Sequence, residues 1–192
     1  MDGVSVYNLA HLSEPERLLV HETLLQAFRQ RHARAPRPLA FITPNTCTRQ
    51  LLEEVLQAQP PHETSDEFVL NCAYALLSIT VHPAAMDILE RKVLAHDDPW
   101  LCGLAMEGLT RSVPGTNASE RLARIVCADA TEAPQLGAAD ALLIRHGWRL
   151  EDPQRKAETL TLMRAMIGDD AAARDAALLK VLKTPVQGWP RP

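Results

Sequence analysis

At 192 residues the chain suits one domain that buries roughly 70% of its unfolded surface. Its formal charge of −4 argues against a nucleic-acid binder, which carries a strongly basic balance or a long basic stripe, and no window holds the roughly 18 apolar residues of a membrane span. Aromatic residues are only 4% of the chain, so the core has to come from Leu, Ala, Val, Ile and Met, and the lack of sustained apolar–polar alternation points to packed helices rather than sheets.

In chain order, Met1-Asp2-Gly3-Val4 lacks the basic and apolar run of a signal peptide, which leads us to expect a cytoplasmic protein. Ser13-Glu14-Pro15-Glu16 then opens a helix: Ser13 accepts from first-turn amides and Glu16 completes a capping box. Leu18, Leu19, Leu24, Leu25 and Phe28 recur at the interval of one buried stripe. The helix fades into Arg31-His32-Ala33-Arg34, and Pro36 and Pro38 stop it, because each removes an amide donor and restricts the residue before it. Residues 35–45 are expected to be the longest irregular stretch. A second helix, opened by Thr46 or Thr48, runs through Leu51, Leu52, Val55 and Leu56 to Pro60-Pro61.

Beyond residue 64 the pattern becomes regular. Helices over 68–77 and 83–93, 98–111 and 117–127, and 134–145 and 153–167 form successive pairs. A last helix over 170–183 is left without a partner before the Pro185…Trp189-Pro190 tail. Prolines 15, 83, 99, 134 and 153 all fall near helix starts, where a missing amide costs nothing. The expected architecture is all-α with about nine helices in a single domain, 1–192. Residues 14–60 form a degenerate opening pair, 64–184 the repeats and 185–192 a tail.

The repeat itself is visible in Ser65-Asp66-Glu67…Ala73…Leu77, Asp97-Asp98-Pro99…Ala105…Leu109, Thr131-Glu132-Ala133…Ala139…Leu143 and Asp169-Asp170-Ala171…Ala177…Val181. The alanines stand 32, 34 and 38 residues apart, the period of a two-helix solenoid unit. Alanine lets neighbouring helices approach, and because one pair leaves an apolar face open, such pairs have to stack.

The stretch Asp98-Pro99-Trp100-Leu101-Cys102-Gly103-Leu104-Ala105-Met106-Glu107-Gly108-Leu109 resembles the first helix of a HEAT-like repeat, of the armadillo/HEAT superfamily. Residues 170–181 match as well, with Arg174 at that family's common arginine position; Leu70, Cys102 and Leu136 replace it in the other copies. The resemblance implies a short α-solenoid of antiparallel helix pairs whose second helices line a concave face. On this sequence that face draws on Asp87, Glu90 and Arg91, then Glu120, Arg121 and Arg124, then Glu158, Thr161 and Arg164, the residues expected to bind a partner. Mixed charge there suits another protein better than a polyanion.

Chemistry-bearing patterns are sparse. Cys47, Cys72, Cys102 and Cys127 include no close pair of the kind metal or redox motifs need, so buried free thiols are expected, Cys72 and Cys102 foremost. His21-Glu22 and His62-Glu63 are dipeptides whose side chains diverge by about 100° on a helix, and no metal or other cofactor is expected. No Ser–His–Asp order, P-loop or dinucleotide turn is present, and nothing local supports Cys47 as a nucleophile. Arg29, Arg31, His32, Arg34 and Arg37 make the one basic cluster, either a favourable helix end or a grip for an acidic partner.

Trp100 and Trp148 either cover repeat edges or, if exposed, anchor an interface. An exposed flank at Ala176, Leu179 and Leu182 would mark a piece of a larger assembly. The Arg excess, 16 of the 20 basic residues, fits a GC-rich bacterial source. The expected function is a non-catalytic protein-interaction module, of the immunity-protein or secretion-adaptor kind. A nucleic-acid-binding or DNA-repair-type enzyme of HEAT-like fold is the alternative.

Overall fold

The structure, a computed structural model, describes residues 9, 11–58, 66–95, 97–128 and 132–187. Met1-Asp2-Gly3-Val4, Pro60-Pro61, His62-Glu63, Ser65, Thr131 and Trp189-Pro190, named above, lie outside the described residues. The fold is all-α, 73% helix, and the described residues hold ten helices. They are α1 (Glu14–Arg29), α2 (Pro36–Ile42), α3 (Thr46–Gln57), α4 (Glu67–Ile79), α5 (Pro83–Ala95), α6 (Pro99–Thr110), α7 (Ala118–Cys127), α8 (Glu132–Arg145), α9 (Lys156–Ile167) and α10 (Ala171–Lys183).

Caps set most of the starts. Asp66, Asp98 and Asp170 each turn one carboxylate oxygen onto the two amides that follow the first helical residue, satisfying donors that an α-helix leaves orphaned. Asn45 does the same for Thr48 N at the head of α3. At α1 the Glu16 carboxylate accepts from both the amide and the hydroxyl of Ser13.

The structure corrects three local expectations. Residues 36–42 are helical, because Pro36 and Pro38 fall in a first turn whose amides have no intrahelical acceptor to lose. Helix α9 begins at Lys156 rather than beside Pro153: the Asp152 carboxylate accepts from Gln154 N and holds a turn ahead of the helix. The apolar stripe of α1 is buried only at its end. Leu24 and Phe28 are covered and Leu25 partly so, while Leu18 and Leu19 are exposed.

Helices α2, α4, α6 and α8 pack successively in one row, and α5 and α7 lie against each other in a second. Helix α4 sits at the centre, buried continuously from Phe68 to Leu77. The repeat alanines Ala73, Ala105 and Ala139 are fully buried between layers, and Gly108 brings α6 closer still: a Cβ there would stand 2.6 Å from Leu89 Cδ1 and 3.2 Å from Tyr74 Cβ. This is an all-α helical-repeat fold.

The row is not continued by the last helix. Helix α10 packs on α9 and also meets α7, so it is not the unpartnered helix expected. The chain leaves α8 through Gly147 at φ +79°, a left-handed conformation that glycine adopts without strain. Residues beyond α10 then return to the end of α8, where Gln187 N donates to Arg145 O at 3.0 Å.

Between α5 and α6 the fully buried Lys92 donates from Nζ to Asp97 Oδ1 at 2.6 Å, while its carbonyl accepts from Cys102 Sγ at 3.3 Å. Cys72 and Cys102 are buried free thiols, and Cys47 and Cys127 are exposed. Burial pushes the Cys72 thiol far above its ordinary range, which suppresses the reactive thiolate.

Candidate functional site

Asp87, Glu90 and Arg91 are three and four residues apart on α5 and therefore share one side of it. Arg121 and Arg124 are likewise spaced on α7, and α5 packs on α7. Arg121, only 8% exposed, reaches Asp87 Oδ1 at 2.6 Å, Glu90 Oε2 at 2.5 Å and Asn117 Oδ1 at 3.1 Å. Arg124 holds the same Glu90 at 2.8 Å, and Arg91 Nε donates to Asp87 O at 3.1 Å. Beside them an open depression of about 400 Å³ is lined by Asp87, Glu90, Arg91 and Leu94. Two carboxylates answer two guanidiniums, so this face is largely neutralised from within.

The remaining residues expected on the face lie apart from it or outside its ion pairs. Glu120 is exposed on α7. On α9, Glu158 pairs with Lys180 of α10, Thr161 donates to its own helix at Ala157 O, 2.9 Å away, and Arg164 is exposed. Helix α9, which carries this trio, packs on α8 and α10.

Two members of the basic cluster build the fold. Arg31 pairs with Asp66 and lies 4.8 Å from the Phe68 ring centroid. Arg37 lies 4.1 Å from the Tyr74 centroid and donates to its hydroxyl at 3.2 Å, with Glu107 at 3.5 Å. Burial pushes the Tyr74 phenol up to about 12, with Arg37 opposing it. These cation–ring contacts tie the opening helices to α4.

The aromatic residues divide sharply. Trp148 is buried beneath Arg155 and Lys180, whose charges lie 5.2 and 5.7 Å from its ring centroid. Trp100 is 70% exposed in the first turn of α6. Five residues upstream of it α5 ends at Ala95, and Leu94 in its last turn is 45% exposed. Ala176, Leu179 and Leu182 are exposed along one side of α10.

A polar knot at the end of α8 was missed by sequence reasoning. Arg145, 2% exposed, donates to Thr110 O at 3.0 Å, Ser112 O at 2.7 Å, Thr116 Oγ1 at 3.0 Å and Ser119 Oγ at 3.1 Å. His146 Nδ1 lies 2.5 Å from Thr184 O. A carbonyl only accepts, so Nδ1 carries the proton, and Nε2 is left to accept from the Ser119 hydroxyl at 2.9 Å. That contact is one a nucleophilic serine would make. Here Arg145 shares the same oxygen and both residues are buried, so the group works as a fastener. Burial, against the pull of the Thr184 carbonyl and with the Arg145 charge, holds His146 below its ordinary pKa.

Among the described residues no group of three or more His, Cys, Asp or Glu side chains could hold a metal; His21 and Glu22 sit on α1 without a third ligand. No protein-family model, curated protein or solved structure matches the chain.

Proposed function

We propose that the chain is a non-catalytic, HEAT-like protein-binding module whose contact surface is centred on the α5–α6 corner. The observation that carries this reading is Trp100, 70% exposed on a helix fixed by the Asp98 cap. A buried Trp removes about 150–250 Å² from water, and Trp is enriched among the residues that dominate interface energies. Leu94, exposed in the last turn of the preceding helix, lines the depression with Asp87, Glu90 and Arg91, and Arg121 and Arg124 pair with the two carboxylates of that lining.

That pairing favours a protein over nucleic acid, because Arg121 and Arg124 already hold carboxylates that a phosphate backbone would have to displace. By analogy, a cytoplasmic bacterial immunity protein or a secretion-associated adaptor would use such a surface.

The test is affinity purification of the tagged chain from its native cells, beside Trp100→Ala and Leu94→Ala. Recovery of one stoichiometric protein, lost with either substitution, supports the reading. Nuclease-sensitive nucleic acid, or a partner indifferent to both substitutions, refutes it. The exposed Ala176–Leu179–Leu182 flank favours a second reading, docking into a larger assembly through α10. A partner lost only with Leu179→Ala would establish that one instead.

A further inference from the structure

The repeat register places Asp66-Glu67-Phe68 over Asp98-Pro99-Trp100: each aromatic stands five residues ahead of a buried repeat alanine, Ala73 or Ala105. The caps agree in detail. Asp66 Oδ1 accepts from Phe68 N and Val69 N at 2.8 and 3.4 Å; Asp98 Oδ1 accepts from Trp100 N and Leu101 N at 2.9 and 3.2 Å.

At α4 the rest of the arrangement is filled. The second oxygen of Asp66 accepts from the Arg31 guanidinium, which also lies over the Phe68 ring. Phe28 adds a tilted ring contact with centroids 5.2 Å apart, and Phe68 is left 3% exposed. At α6 the same helix position carries a larger ring that faces solvent, and among the described residues Asp98 makes no ion pair.

We infer that Asp98 and Trp100 form an arginine-binding subsite, filled by a side chain of the protein partner; the inference rests on the reading proposed above. The arginine stacks its guanidinium on Trp100 and donates to the second oxygen of Asp98, repeating what Arg31 does one unit earlier. An aliphatic residue beside it lies against Leu94. Arginine fits better than lysine because its planar fork can stack and donate together, whereas an ammonium is a compact, strongly hydrated point charge. Trp is also the best ring for a cation. The molecule uses the same pairing of ring and carboxylate for its own cations at Tyr74, where Arg37 meets Glu107, and at Trp148, where Lys180 meets Glu158.

The experiment is to pan the purified full chain against a displayed library of random dodecapeptides. Recovered peptides are resynthesised and titrated against wild type, Trp100→Ala and Asp98→Asn. An asparagine oxygen can still accept the two capping amides, and Trp100 is exposed, so both variants are expected to melt with the wild type by circular dichroism. The expected peptides share an arginine. Replacing it by citrulline weakens binding roughly tenfold, and Asp98→Asn weakens the arginine peptide by a similar factor but not the citrulline peptide. The citrulline arm needs no change to the protein, so an arginine that citrulline replaces without loss overturns the subsite even if a variant folds poorly. Peptides that require Trp100 but carry no arginine, or whose arginine is indifferent to Asp98→Asn, overturn the subsite and leave the module reading standing. Peptides indifferent to Trp100→Ala, or no recovered peptides, overturn both at this corner.

Discussion

Arg121 on α7 and Arg145 at the end of α8 are both nearly buried, 8% and 2% exposed, and the molecule holds them in opposite ways. Arg121 is met by two carboxylates, Asp87 and Glu90, at the edge of a face open to water. Arg145 is met by backbone carbonyls and hydroxyls from the end of α6, the following loop and the start of α7, and burial lowers its pKa to about 10. A guanidinium can therefore be buried by giving its N–H donors neutral acceptors as well as by cancelling its charge. The first arrangement leaves a surface that a partner can rearrange. The second locks segments distant in sequence.

The largest loss of stability is expected at Arg145. Arg145→Met should cost about 3–4 kcal/mol, because buried acceptors are stranded and each costs about 1–3 kcal/mol; the urea midpoint measures it. A steric control lies between the two regions: Gly108→Ala should cost about 2 kcal/mol by overpacking against Leu89 and Tyr74, and an unchanged midpoint would show that α6 can shift. Arg121→Met should cost about 1–2 kcal/mol, with the wild-type advantage shrinking in molar salt, as screened ion pairs require. The Arg145→Met cost should hold in salt, since its partners are neutral, and equal salt dependence would show that the two arginines are held in the same way.

The next effect is in pH. His146 has its folded pKa depressed below the ordinary 6.5, so the unfolded chain binds the proton first. Its contribution to stability is complete above about 6.5 and is lost as the pH falls through the lower folded value. The slope amounts to no more than one proton, and His146→Gln should flatten it in melts taken across that range. The smallest effect is Arg124→Ala, expected below about 0.5 kcal/mol because that side chain is 60% exposed.

The all-α repeat was legible because its signals are local. Aspartate caps ahead of Phe68, Trp100 and Ala172, and alanines recurring every 32 to 38 residues, need only their own helix and its neighbour. The helical start of 36–42 was missed because two prolines read as a stop, although both fall where a helix has no bond to lose. The pairing of Asp87 and Glu90 with Arg121 and Arg124 was half legible: spacing put each set on one side of its helix, but only packing of α5 on α7 could show that they neutralise each other. The Arg145–His146–Ser119 knot carried no signal of its own, since its partners are mostly backbone groups whose sequence identity is irrelevant. The departure of α10 from the row was hidden for the same reason, resting on the Gly147 turn and on carbonyls at Thr184 and Arg145.

The buried Lys92 gives the α5–α6 hairpin a chemical signature. Of the chain's four lysines, Lys156, Lys180 and Lys183 are exposed, while the Lys92 side chain is 1% exposed and its ammonium is tied to Asp97. An amine-acylating reagent should therefore modify three sites quickly and the fourth only when the hairpin opens. The rate of acylation at Lys92, followed by mass spectrometry, reports the opening equilibrium of the very corner that presents Trp100, and a bound partner should slow it without touching the other three.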